Sequence, residues 1–538
     1  MMETRLNSLK GRIEQLSAAA GNAGLSVGVL QNGKIIHQSH YGYQNLRTLD
    51  SPDENTIYHL GSLSKTLTAA GLAILVEEGK FKWTSSLKEL VPGFHQRNKY
   101  VEQQANVIDL LAHRMGLAMR MNYWAQMEPE LLLPPTEAVN VLGALHPTAD
   151  FRTTLKYNNW TYSLAGDIIE RYSGLSLEDF MQQHFFKPLG LTRTTFAVPS
   201  EDNYASCHIT LSDGTRFEVP RPRIGSGTVM AGAAGLKSSL ADLLRLYDIL
   251  LTALEDQRRT GLTSTPGNPF KQVSMIYTPH GKKGATEYGL GWFMVTLPAE
   301  IGWIGVNDGR VAQNPTIARG VDPTPIAYHN GSMPGILASV HLIPQTHTAV
   351  VICGNTLSLA DIPDYAGGLI LETLLGVDEP TDFLPLVSEA NESLVKGYAN
   401  TKEKLAADRK PGTSHRPLDQ YEGRFINPEG NFRLDVSVHR DGLRMRLQGL
   451  SQTYYDLYHY HDDVFAWTCD RDTEAKRATF PQLSDVFRKI CFQVDDTGRV
   501  GSIFWAYARD EPQGEVFTRI APVGPAEPLG SKNHSGSL

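Results

Sequence analysis

The sequence predicts an α+β fold, with an antiparallel sheet flanked by helices over residues 1–378 and a small antiparallel β-barrel over residues 412–520. Three observations predict it. One hairpin signal lies near residue 32 and another near residue 345, with helical patterns between them, so one sheet would be assembled from both ends of the segment. Beyond residue 411 the hydrophobic period changes from helical to alternating. Between the two parts, residues 379–411 are polar and helical in pattern and read as a linker.

Taken in order, Met1–Ala20 interleaves Leu6, Leu9, Ile13 and Leu16 with Glu3, Arg5, Lys10, Arg12 and Glu14. That spacing predicts an amphipathic helix and lacks the apolar core of a signal peptide. Leu25–Leu30 and Lys34–His37 flank Asn32-Gly33, a hairpin signal. Apolar positions Leu67, Ala70, Gly71, Ile74 and Leu75 predict a buried helix after Ser62 that closes at Gly79. Further helices are expected at Val107–His113, Ser163–Tyr172, up to Pro188-Leu189-Gly190, and through Asp242–Leu250. The glycine-rich run 225–235 has no phosphate-binding spacing and reads as a structural loop. Ile336–Ile343 and Thr348–Cys353 flank the turn at Pro344–His347, and Asp361–Leu375 reads as a helix. In the C-terminal part Phe432, Leu434, Val436 and Val438 alternate with polar residues, as do Leu443, Met445 and Leu447, then Ile490, Phe492 and Val494. Ala521–Leu538, rich in Pro, Gly and Ser, reads as disordered.

Composition narrows the function classes. Of 538 residues, 41% are hydrophobic and 20% charged, an ordinary balance for a soluble protein of two or three domains. A net charge of −8 argues against nucleic acid or an anionic membrane as the main partner. No apolar run is long enough to span a bilayer. The four cysteines, Cys207, Cys353, Cys469 and Cys491, form no C-x-x-C pair, so neither zinc nor a disulfide framework is indicated. A cytoplasmic protein without metal or other cofactor is expected.

The candidate chemistry centres on Gly61-Ser62-Leu63-Ser64-Lys65. Three residues apart on a helix, Ser62 and Lys65 share a face. A serine hydroxyl needs a base, and a lysine serves if burial or nearby positive charge lowers its pKa. The spacing recurs at Ser85/Lys88 and Ser393/Lys396, but those pairs lie in polar surroundings, whereas Ser62 heads an apolar helix. A second proton carrier is offered by Tyr157-Asn158-Asn159, where a tyrosine beside Lys65 would have its phenol pKa lowered. A strand edge that holds substrate and supplies an oxyanion-hole N–H is offered by His329-Asn330-Gly331-Ser332. Tyr-x-Asn also occurs at Tyr43, Tyr328 and Tyr398, and His-x-Gly at His40 and His534, so order and surroundings carry the argument.

In that order, Ser62/Lys65, Tyr157/Asn159 and His329/Gly331 resemble the serine β-lactamase and penicillin-binding-protein superfamily, in its class C β-lactamase and D-alanyl-D-alanine peptidase branch. The flanks resemble it too: Leu60–Lys65, Asp109–Leu117, Tyr157–Trp160, Pro188–Leu191, Tyr288–Trp292 and Tyr328–Gly335. The resemblance covers about residues 8–378 and implies the sheet-plus-helical-lobe fold of β-lactamases and transpeptidases. The C-terminal segment, opening at Tyr421-Glu422-Gly423, resembles the lipocalin-like barrel that some peptidase and esterase members append. The resemblance implies acylation of Ser62 by an ester, amide or peptide, with Lys65 and Tyr157 sharing base and acid roles. Which of the two takes the serine proton stays open. It further implies that Asn159 bonds Lys65 or the substrate, that His329 and Gly331 border the substrate, and that the N–H groups of Ser62 and Ser332 form the oxyanion hole.

One departure matters. Where β-lactamases carry Lys-Thr-Gly, this chain has His329-Asn330-Gly331, and a histidine largely neutral at pH 7 replaces a cation suited to the carboxylate of penicillins. The expected activity is that of an esterase or D-amino-acid-type peptidase with little or no penicillin turnover. Acyl transfer in a natural-product pathway is a second reading, separable by product analysis with an added acceptor. A fold retained for binding alone is a third. Other features read as structural: His459, His461, Asp462 and Asp463 as a hairpin tip, Met115, Met119 and Met121 as irregular packing, and Asp109/His113 as a cap and a packed side chain.

Overall fold

The computed structural model describes residues 2–124, 127–199, 202–507 and 511–520, so the expected disordered tail lies outside the described residues. Asn32 and Gly33 both adopt positive φ, 50° and 71°, as a two-residue turn between right-twisting strands requires. They join β1 (Gly24–Gln31) to β2 (Lys34–Gly42). At the other end of the segment, β3 (Gly281–Lys283), β4 (Thr286–Tyr288), β5 (Phe293–Leu297), β6 (Thr324–Met333), β7 (Ile336–Ile343) and β8 (Thr348–Gly354) follow. The eight strands form one antiparallel sheet in the order β2-β1-β8-β7-β6-β5-β4-β3. The two ends of the segment meet at β1 and β8, where Val27 lies opposite Ile352. This is the expected closure.

Helices cover both faces, and the two-residue period of β1 shows how. Val27 and Val29 enter the core shared with Ile362, Tyr365 and Leu369 of one helix (Ile362–Leu375). Gly28, pointing the other way, lies against Leu240 and Leu244 of another (Leu240–Thr260). Central strands covered on both sides are buried at every position of β7 and β8. Between the hairpins stand α1 (Ser64–Glu77), buried from Ser64 through Leu75, and α2 (Asn159–Ser173), capped by the Asn158 side chain on Trp160 N–H.

The N-terminal stretch is two helices, Met2–Asn7 and Lys10–Ala19, where one was expected, with Leu6, Ile13 and Leu16 still buried. The chain divides into two compact units, one of residues 1–406 with 469–484 and the other of 407–468 with the residues from 485 on. Residues 384–407, read as linker, form α3 (Leu384–Ala407), which through Ala406 belongs to the first unit and whose Val387 and Ala390 join the sheet's core. Cys469–Ser484 also belongs to this unit. Arg471 donates to Thr210 O, and Asp472 accepts from Ser212 N–H and Oγ. Tyr398 of α3 donates to Glu474.

In the second unit eight strands, from Gly423–Ile426 through Glu515–Ile520, close an antiparallel barrel. Its interior is filled by Phe425, Phe465, Phe492, Ile503, Trp505 and Phe517, each at most 2% exposed. An eight-stranded barrel is just wide enough for side chains to fill in this way. His459 and His461 end one barrel strand, Tyr454–His461, and the turn at Asp462-Asp463 follows.

Candidate active site

Ser62 sits in a tight turn, Gly61–Leu63, that leads into α1. Gly61 has φ +53°, a left-handed conformation that favours glycine. A Cβ at Gly61 would lie 2.9 Å from Ser332 N, and one at Gly331 would collide with the Leu60 carbonyl oxygen. Two glycines therefore let the serine turn and β6 touch backbone to backbone. Ser64 fastens the turn by donating to Gly61 O at 2.6 Å and accepting from Leu236 N–H.

Lys65, in the first turn of α1, is fully buried. Its Nζ lies 3.1 Å from Ser62 Oγ, 2.8 Å from Asn159 Oδ1 and 2.9 Å from Ala233 O. Desolvation drives its pKa well below the ordinary lysine value. A neutral amine has two N–H donors and one lone pair. Asn159 Oδ1 and Ala233 O can only accept, so in its neutral form Lys65 would give both donors to them and keep its lone pair for Ser62 Oγ–H.

Tyr157 immediately precedes the cap of α2. Its ring is partly exposed, its hydroxyl is buried, and Lys65 Nζ stands 4.9 Å from the ring centroid. Burial raises the phenol pKa, and the Ser62 hydroxyl beside it opposes the shift. This reverses the expected lowering: desolvation of the hydroxyl outweighs its position beside the lysine, and Tyr157 stays protonated at neutral pH.

His329 is wholly buried. Its Nδ1 donates to Asn330 O at 2.7 Å, which leaves Nε2 to accept from Tyr288 Oη at 3.3 Å. Burial, with a smaller contribution from the Lys65 charge, pushes its pKa down to about 3. The position that would hold a lysine thus holds a neutral ring packed against Phe293 and Tyr157. Asn330 points away to Asp364, donating at 2.8 Å. All seven expected site residues meet here, and Ser62, Tyr157 and Ser332 are the partly exposed ones among otherwise buried neighbours. Neither duplicate Ser-x-x-Lys pair takes part: Lys88 pairs with Glu102, and Lys396 is exposed on α3.

Sequence reading missed three contributors. Ala233 acts through a backbone carbonyl, which side-chain identity does not signal; the glycine-rich run read as a plain loop delivers it, with Gly232 packed on Gly166. Tyr288, which caps His329, belongs to a matched segment whose Gly291 lets the chain approach the Lys65 carbonyl. His113 packs on Tyr157 with ring centroids 4.3 Å apart. Its neighbour Asp109 instead pairs with Arg114 and Arg152. Among the described residues no group of three or more His, Cys, Asp or Glu side chains is placed to hold a metal ion.

A family model described as Beta-lactamase matches residues 9–375, and one described as a domain of unknown function (DUF3471) matches residues 407–519. A β-lactamase of Pseudomonas fluorescens is 24% identical over 351 residues, 64% of this chain and 91% of that protein. The unguisins hydrolase ungD of Aspergillus violaceofuscus is 24% identical over 346 residues, 59% of this chain and 55% of that protein. The octameric penicillin-binding protein homologue from Pyrococcus abyssi shares the fold, with a TM-score of 0.55 at 19% identity over 95% of this chain and 99% of that one. With residues 9–375 of 538 matched, the chain belongs to the Beta-lactamase family.

Proposed function

We propose that this serine hydrolase forms an acyl-enzyme on Ser62 and cleaves an ester, amide or peptide bond of a small molecule, as an esterase or D-amino-acid-type peptidase. The observation that carries the reading is the setting of Lys65: a buried amine with two obligate acceptors and the serine hydroxyl as its third partner. In the proposed reaction Ser62 Oγ attacks the carbonyl carbon while its proton passes to the Lys65 lone pair. The N–H groups of Ser62 and Ser332 meet the charge that develops on the carbonyl oxygen. As the scissile bond breaks, the proton returns through the Tyr157 hydroxyl to the leaving group. Water then repeats the sequence, releasing the acid and restoring Ser62. A protonated Tyr157 suits a relay, and Lys65 is the base in this reading. The four free cysteines, three of them buried, suit a cytoplasmic setting.

Exposure to a fluorophosphonate is expected to add one adduct by intact mass, mapped to Ser62 by peptide mass spectrometry. A folded protein that stays unlabelled, or carries the adduct elsewhere, would overturn the reading. The buried neutral His329 also predicts that a chromogenic cephalosporin is turned over slowly or not at all, while small p-nitrophenyl esters are hydrolysed. Efficient cephalosporin hydrolysis would sink the distinction.

A further inference from the structure

His113 is in contact with the site without belonging to the acylation steps. It follows the helix Val107–Leu111 and has φ +55°, unusual for a residue with a side chain. Such a conformation is strained and persists where surrounding contacts over-determine it. Here the contacts are specific. The His113 carbonyl accepts from Lys156 N–H at 2.7 Å, and its Nδ1 accepts from Asn158 N–H at 3.1 Å. The amides on either side of Tyr157 therefore both end on this one residue. Since Nδ1 accepts from a backbone N–H, the ring's proton sits on Nε2, which is buried without a partner among the rings of Tyr157, Tyr288 and Tyr162. Asn158 in turn caps α2, whose first residue, Asn159, holds Lys65.

We infer that His113 is a positioning residue for this site: its Nδ1, by accepting the Asn158 amide, fixes Tyr157 and Asn159 against Ser62 and Lys65. The inference rests on the proposed acylation of Ser62. Burial holds the His113 imidazole well below its usual pKa, so the ring adds no cation beside Lys65.

Three substitutions separate the acceptor from mere packing. His113→Asn places an amide oxygen near the position of Nδ1 and tolerates positive φ. His113→Gln places its polar end near Nε2 instead, and His113→Phe keeps a ring without an acceptor. With a p-nitrophenyl ester, Gln and Phe are expected to lower kcat about 10²-fold, the scale of a misplacement near 1 Å, with KM little changed. Asn is expected to stay near wild type. Amide exchange of the peptide spanning Asn158, read by mass spectrometry, should speed up in the Gln and Phe variants and stay protected in the Asn variant.

Retained activity in Gln with loss in Asn would assign the work to Nε2 and overturn the inference. Three wild-type activities, or three losses that follow melting temperature alone, would overturn it as well. If the wild type fails to hydrolyse esters or take up fluorophosphonate, the acylation reading fails. The exchange pattern then still decides whether His113 orders this segment.

Discussion

Lys65→Met is expected to slow fluorophosphonate labelling of Ser62 by about 10²–10⁴-fold, the range over which a positioned general base acts. Methionine fills similar space but has no lone pair for the serine proton, and it leaves Asn159 Oδ1 and Ala233 O without their donor. The wild-type labelling rate should climb with pH as Lys65 loses its proton and level off well below the ordinary lysine value of 10.5, because burial lowers the pKa. The same shift fixes the sign of a stability effect. Between the folded pKa and 10.5 the unfolded chain holds a proton on Lys65 that the folded chain lacks, so this residue makes stability rise with pH across that window. Chemical denaturation of both proteins from pH 7 to 10 should therefore show the wild type gaining on Lys65→Met. A difference that is flat in pH would mean that Lys65 keeps its proton in the fold. Undiminished labelling of the variant would remove it as the base.

How much of this was legible in the sequence depended on the range of the interaction. Ser62 and Lys65 are joined by helix geometry alone, so their spacing sufficed. Asn32-Gly33 carries its turn locally, and alternation in the barrel strands is a period of two. Tyr157 and His329 were found through order and surroundings, but the sign of the Tyr157 shift was not: it depends on whether the hydroxyl is desolvated, which only packing decides. The Ala233 carbonyl and the His113 ring act across long sequence separations, where no local pattern points to the partner. The helix α3 had a visible signal that a polar composition masked. Val387, Ala390, Leu394, Tyr398 and Leu405 recur at helical spacing and are buried, which marks a docked helix rather than a linker. Cys469–Ser484 had none: its anchors, Thr210 and Ser212, lie some 260 residues away.

Gly331→Ala should be nearly as damaging as loss of the base, for a steric reason. The added Cβ meets the Leu60 carbonyl oxygen, a backbone atom with no rotamer to yield, so the serine turn and β6 must separate. Overpacking of this kind costs about 1–3 kcal/mol, which a chain of this size can absorb while staying folded. The separation would carry Ser332 N–H, an oxyanion donor in the proposed reaction, away from Ser62, and removing one such donor costs about 10²–10³-fold. Labelling of Gly331→Ala is therefore expected to fall by about that factor with its circular dichroism retained. Ser332→Ala is the control, since it deletes the hydroxyl and keeps the N–H, and it should label at nearly the wild-type rate. If Gly331→Ala labels normally, close approach of the strand is not required. If Ser332→Ala falls equally, the hydroxyl and not the amide stabilises the reacting oxygen.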